Sequence, residues 1–248
     1  MTRQDSNKHK TNETISIIAN RLKNPIAIIK GYLEALASGD CGEINLKQKE
    51  YLNDALFNTK EMSKMLDNIL DISLIDTGVY GLDKKQVSLE DISSQVLFGF
   101  YQWAQAANCK IVFQKGKDIP LVLTDPLKIK KVIENLISNA IKYNSGQGMI
   151  EVSLISKAKR DVIFSCKDNG IGIDQKDYKK IFTKFYRSDK AIEIDPAGAG
   201  LSLYISKAII QLSGGKIWFK SKENKGTTFY VLLPVKGMKR RKGVVGLE

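Results

Sequence analysis

The stretch "IENLISNAIKY", Ile133 to Tyr143, decides how the rest of this 248-residue chain is read. It lies inside a longer pattern in which Ile129, Val132, Ile133, Leu136, Ile137, Ala140 and Ile141 recur at spacings of three and four, the stripe of a helix with one buried face. Asp125 stands where an N-cap belongs and Pro126 at the first helical position, the favoured order for starting a helix. Away from the stripe, Asn135, Asn139 and Lys142 fall at i, i+4 and i+7 and form one polar ridge. On a lone helix such a ridge is a solvated face; the residues downstream give it another meaning.

Beyond the strand-like run "DVIFSCKD", the segment "DNGIGI" sets Asp168 ahead of Gly170 and Gly172. Then come "IFTKFYR" and "GAGLSL", the latter placing Gly198 and Gly200 at a helix start. Glycines at such points let a backbone turn tightly and come close to a ligand, and the free N–H groups of a helix start can hold phosphate. The runs "CKIVFQ", "PLVLTD", "GMIEVSLIS", "DVIFSCKD", "GKIWFKSK" and "GTTFYVLLP" read as strands. Helices are expected around Leu89 to Ala107, Pro126 to Tyr143 and Leu201 to Leu212. Residues 86–236 therefore predict one α/β sandwich of ordinary domain size.

The first third of the chain differs. In Thr11 to Ser38, Ile15, Ile18, Leu22, Ile26, Ile29, Leu33 and Leu36 draw a helical stripe, with Pro25 inside it removing the bond to the carbonyl of Arg21 and bending the helix. "SGDCG" breaks the pattern at Ser38 to Gly42; Asn45 with Gln48 resembles a capping box, and a second stripe runs from Leu52 through Leu56, Met62, Met65, Leu66, Ile69, Leu70 and Ile72. The overall class is α+β: a flexible start at 1–10, a helical hairpin at 11–80, a hinge at 81–85, the sandwich at 86–236 and a basic flexible tail at 237–248. Two helices offer each other too little surface to bury both stripes, which predicts a homodimeric four-helix bundle through residues 11–80.

Composition narrows the classes. No run of about 18 apolar residues exists to span a bilayer, and the polar start lacks a signal-peptide core, so a cytoplasmic protein is expected. Cys41, Cys109 and Cys166 are odd in number and widely spaced, which argues against disulfides or a metal site. A formal charge of +12 would suit nucleic acid, but the lysines are dispersed apart from "KGMKRRKG" and no nucleic-acid-binding signature appears. Nucleotide phosphates or an acidic partner suit the charge equally well.

In the order asparagine helix, D-x-G-x-G after a strand, F-containing segment and glycine-rich helix start, the motifs resemble the ATP-binding domain of sensor histidine kinases. That domain belongs to the wider Bergerat-type group that includes gyrase-type and Hsp90-type ATPases. "IENLISNAIKY" looks like the N box, "DNGIGI" the first glycine box, "IFTKFYR" the F box and "GAGLSL" the second glycine box. The resemblance implies that the cofactors are ATP and Mg²⁺, with Asn139 a metal ligand. Asn135 and Lys142 would touch phosphates or their metal, Tyr143 would line the pocket, and Asp168 would accept the adenine amino group. Gly170, Gly172, Gly198 and Gly200 would shape the site, with Thr227 near the adenine. Asn135 stands where ATPase relatives carry a water-activating glutamate; an amide is no base at neutral pH, so futile hydrolysis should be slow. Ser202 replaces a customary third glycine.

The hairpin likewise resembles the family's dimerisation and phosphoacceptor domain, whose motif has the form H-E-L-[RK]-[TN]-P-L. In "NRLKNPI", Leu22 to Ile26 fit; Asn20 and Arg21 stand in place of the histidine and the acid. An amide nitrogen, its lone pair delocalised into the carbonyl, is no nucleophile toward a phosphoryl group. His9, the sole histidine, lies about 16 Å away along a helix and lacks the flanking motif. Three readings follow. The first is an ATP-binding signalling protein without its own acceptor, acting through its dimer and contacts with a response regulator or partner kinase. The second is a kinase phosphorylating a histidine on a heterodimeric partner; the third is a scaffold that binds no nucleotide.

Overall fold

The computed structural model describes residues 3–144 and 146–236, with backbone alone for residues 3–13. The chain divides after Tyr80 into two compact units. The start at residues 1–2, the His9 side chain and the basic tail at 237–248 lie outside what is described.

The first unit is a hairpin of α1 (Arg3–Ser38) and α2 (Leu46–Asp76). Helix α1 begins eight residues ahead of the expected Thr11, because nothing in "RQDSNKHK" is a glycine or proline that would stop it. It also runs on through Pro25. The capping box at the start of α2 is formed: Gln48 N–H donates to Asn45 Oδ1 at 2.9 Å and Asn45 N–H to Gln48 Oε1 at 2.8 Å. Ala19, Ile26 and Leu66 make the shared core, backed by Ile69 and Leu70. Much of both stripes stays uncovered: Ile15, Ile18, Leu22, Ile29, Met62 and Met65 are exposed.

The second unit has a five-stranded mixed sheet, ordered β2-β4-β5-β7-β6, from β2 (Cys109–Lys115), β4 (Gly148–Lys157), β5 (Asp161–Asp168), β6 (Lys216–Lys222) and β7 (Gly226–Pro234). Strands β2 and β4 are parallel and the other pairs antiparallel. A short ribbon of β1 (Lys85–Val87) and β3 (Val122–Thr124) stands apart from it. The strict alternation of β4, β5 and β7 puts Ile150, Val152, Leu154, Val162, Phe164, Cys166, Phe229, Val231 and Leu233 on one buried face. Helices α3 (Leu89–Ala106), α4 (Pro126–Lys142) and α6 (Ser202–Leu212) form the second layer, with α4 packed between α3 and α6. A short α5 (Asp189–Ile194) lies in the connection leading to α6.

The expected stripe of α4 is the centre of this core, Ile129 through Ile141 being almost wholly buried. Asp125 caps the helix through bonds from the N–H groups of Leu127 and Lys128. Its other oxygen accepts the Asp83 N–H at 3.0 Å, and Lys84 Nζ donates to Leu212 O at 3.0 Å. Most of the expected hinge at 81–85 is thus fastened to the second unit, and Lys85 already belongs to β1.

Candidate functional site

The end of α4 meets the first glycine box through Tyr143 and Ile171, and the segment ahead of α6 through Lys142 and Asp195. Asp168, the last residue of β5, is buried, and its Oδ1 accepts the N–H of Gly170 at 2.9 Å and of Thr227 at 3.1 Å. Oδ2 has no donor among the described residues. Burial pushes this carboxyl above its ordinary value, partly offset by the two N–H donors. The arrangement leaves a buried carboxylate with one oxygen that accepts no hydrogen bond from the described residues.

Tyr143 caps α4 and joins the N box to the first glycine box by backbone: its carbonyl accepts the Ile171 N–H at 3.0 Å. Thr227 contributes mainly through that N–H to Asp168, while its hydroxyl bonds Ser221 Oγ at 2.8 Å. Asn139 is half-buried, and its amide meets no other protein group among the described residues. Lys142, also half-buried, lies 2.7 Å from Asp195 Oδ2.

Asn135 is a correction to the polar ridge read from spacing. It is 4 % exposed and turned into the protein, its Nδ2 donating to Ser202 O at 3.3 Å and Ser206 Oγ at 3.2 Å. Packing of α6 against α4 covers this position, so the amide fixes the start of α6 instead of meeting solvent. The glycines are also required by the packing of the protein itself. A Cβ at Gly170 would lie 2.3 Å from Tyr143 O, and one at Gly172 2.1 Å from Lys222 O. At Gly200 it would be 2.8 Å from Phe185 C, at a φ of +67° that disfavours side chains in any case. The space beside these glycines is filled by the protein itself, so they permit loops to stack on one another.

Helices α2 to α5 are each capped by a side chain, Asn45, Ser88, Asp125 and Ser188 in turn; α6 has no side-chain cap. The N–H groups of Ser202 and Leu203, at the positive end of the helix dipole, meet no acceptor among the described residues, the condition for holding an anion. Ser202 is the first residue of that helix, and its carbonyl accepts both Asn135 and Ser206.

Residues 124–237 match the family described as "Histidine kinase-, DNA gyrase B-, and HSP90-like ATPase", and residues 10–78 match "His Kinase A (phospho-acceptor) domain". The chain carries the two domains of a sensor histidine kinase core. It is 31% identical over 95% of its length to the sensor histidine kinase WalK of Bacillus subtilis, and 27% identical over 90% to the circadian input-output histidine kinase CikA of Synechococcus elongatus. The chain spans only 38% and 30% of those relatives. Among solved structures, full-length ShkA in complex with AMPPNP is similar with a TM-score of 0.72 over 92% of this chain and 47% of that one, at 18% identity, a likeness of fold. The catalytic domain of the histidine kinase ThkA, in a nucleotide-free form, gives 0.55 over 62% of this chain and 99% of that one, at 27% identity.

On the hairpin of this kinase core, Asn20 and Arg21 are exposed on α1, directly after the buried Ala19. Lys23 of the same motif pairs with Asp67 of α2 at 2.7 Å. No helix among the described residues is long and apolar enough to cross a membrane. Sequence reading assigned no role to Arg187, Asp195, Ser221 or Gly226. Gly226 presses on Asp168, where a Cβ would lie 2.0 Å from its carbonyl oxygen. Asp195 reaches Lys142 from 53 residues away, a distance that no motif spacing encodes.

Proposed function

We propose that this chain is a Mg-ATP-binding member of the histidine kinase family that cannot phosphorylate its own bundle and signals through dimer and partner contacts. The observation that carries the reading is Asn20. It is exposed on α1 in place of the expected histidine, with Arg21 in place of the acid. An accessible amide beside a fixed cation offers neither a nucleophile nor a base for phosphoryl transfer.

The pocket chemistry fits the nucleotide. Asp168 keeps an open acceptor for the adenine amino group and would repel the carbonyl that guanine has there. Asn139 has a free amide oxygen, an acceptable hard donor for Mg²⁺ when phosphates and water supply the other ligands. Lys142 and the uncapped start of α6 supply positive charge for the phosphates. When bound, Mg-ATP would bring a transferable phosphoryl group; the residues here bind and orient it. The uncovered stripes of α1 and α2 support a homodimeric bundle, and the free cysteines suit a reducing, cytoplasmic setting. A response regulator or a second kinase is the partner that family membership suggests.

The test is incorporation of acid-labile phosphate by the purified protein with Mg-ATP. None is expected; labelling that Asp168→Asn abolishes would overturn the reading. The intact pocket also favours a second reading, in which this chain phosphorylates a histidine supplied by a heterodimeric partner, since positioning and charge carry most of phosphoryl transfer. Labelling of a partner lacking its own ATP site, seen only in the mixture, would establish that reading.

A further inference from the structure

The lysine offered to phosphate already holds an anion. Lys142 Nζ and Asp195 Oδ2 are 2.7 Å apart, and their side chains are only 30% and 17% exposed. Asp195 is no loose end of a loop. Arg187 Nη2 donates to the carbonyls of Asp195 and Ala191, Nη1 donates to Gly198 O at 2.8 Å, and the guanidinium lies 3.9 Å from Asp195 Oδ2. On the other side of α5, Lys190 pairs with Glu223 at 2.7 Å and fastens the segment to the β6–β7 turn. Gly198 makes room for the carboxylate, since a Cβ there would sit 2.6 Å from Asp195 Oδ2 and 3.0 Å from Arg187 Cζ. The first glycine of "GAGLSL" thus accommodates a resident acid.

We propose that Asp195 sets the ligand specificity of this site by occupying Lys142, so that phosphates reaching the lysine must evict the carboxylate while a bare nucleoside need not. The proposal rests on reading the pocket as an adenine nucleotide site. Two anions within contact distance of one half-buried ammonium repel each other strongly. A phosphate arriving at Lys142 therefore breaks the pair and returns Asp195 to water. The cost falls on ligands in proportion to how far their phosphates extend, and adenosine, recognised at Asp168, escapes it. Affinity for ATP is held down without loss of adenine recognition.

The experiment is calorimetric titration of the full chain with Mg-ATP and with adenosine, for the natural protein and for Asp195→Asn, Lys142→Met and the double variant. Thermal melting verifies that each is folded. Asp195→Asn is expected to tighten Mg-ATP about tenfold, between the worth of an exposed pair and a buried one, and to leave adenosine unchanged. The gain should vanish in the Lys142→Met background. Unchanged or weaker ATP binding in Asp195→Asn, or an equal gain for adenosine, overturns the proposal while leaving the pocket reading intact. If the natural protein binds neither ligand, the pocket reading itself fails and takes the proposal with it.

Discussion

The two units of this chain have kept different things. The hairpin keeps its geometry: a capping box, a buried Ala19–Ile26–Leu66 seam, and a proline in α1. At positions 20 and 21, however, it carries Asn20 and Arg21, which have no acceptor chemistry. The α/β unit has its frame together with groups suited to the proposed nucleotide. Asp168 retains a buried acceptor with one oxygen open, Asn139 a free amide and α6 an uncapped start. A helix surface can lose a catalytic pair at little cost to folding, because exposed side chains contribute little to stability. Asp168 is tied into loop packing by the N–H groups of Gly170 and Thr227, whereas the Asn139 amide meets no other protein group among the described residues.

The largest effect expected from breaking this contrast is a gain. If only the acceptor chemistry is missing, Asn20→His with Arg21→Glu should take up acid-labile phosphate where the natural chain takes up none, read by filter retention of labelled protein. Asn20→His alone should be slower by about 10²-fold or more, the usual worth of a positioned acid or base. Failure of the double variant would mean that the catalytic unit has also lost its competence.

Next in size is Asp168→Asn. Losing a charged acceptor should weaken Mg-ATP by roughly 10- to 100-fold, from about 1.5–3 kcal/mol per hydrogen bond to a charged group, as seen by calorimetry. Stability should not fall with it. Because the folded carboxyl titrates above its unfolded value, its favourable contribution is present in acid and is lost as pH rises through the folded value. At neutral pH the ionised buried group is a burden. The variant should melt at the same temperature or up to about 3 °C higher, with the difference shrinking in acid.

Asn135→Ala should behave in the opposite way, costing about 1–2 kcal/mol of second-unit stability in urea because a buried amide bonded to Ser202 and Ser206 is lost. In the hairpin, Ile18→Lys or Leu22→Lys should shift sedimentation from dimer to monomer. At the small end, Lys23→Ala removes an exposed ion pair and should move the urea midpoint by less than about 0.5 kcal/mol.

Periodicity made most of this fold legible. The stripes of α1, α2 and α4 and the alternation of β4, β5 and β7 each report a face, and a face needs only local spacing. The ribbon strand β1, three residues long, and the short α5 carry too few residues to show a period. In the candidate site, motif order singles out Asp168 and Asn139, and the structure shows the first buried at the end of β5 and the second half-buried on α4. Spacing alone puts Asn135 on one ridge with Asn139 and Lys142, and its burial under α6 is a tertiary event that spacing does not report. Asp195 stayed hidden because its partner lies in another element, and the order of residues says nothing of which lysine a loop carboxylate will meet.

In the proposed function, nucleotide binding and self-phosphorylation have parted company in one chain. Intact-mass measurement under native conditions, after incubation with Mg-ATP, reads both at once. The account predicts a noncovalent ATP adduct that is lost in Asp168→Asn, with no covalent phosphate on denaturation. A covalent phosphate dependent on Asp168, or no adduct at millimolar nucleotide, would contradict it.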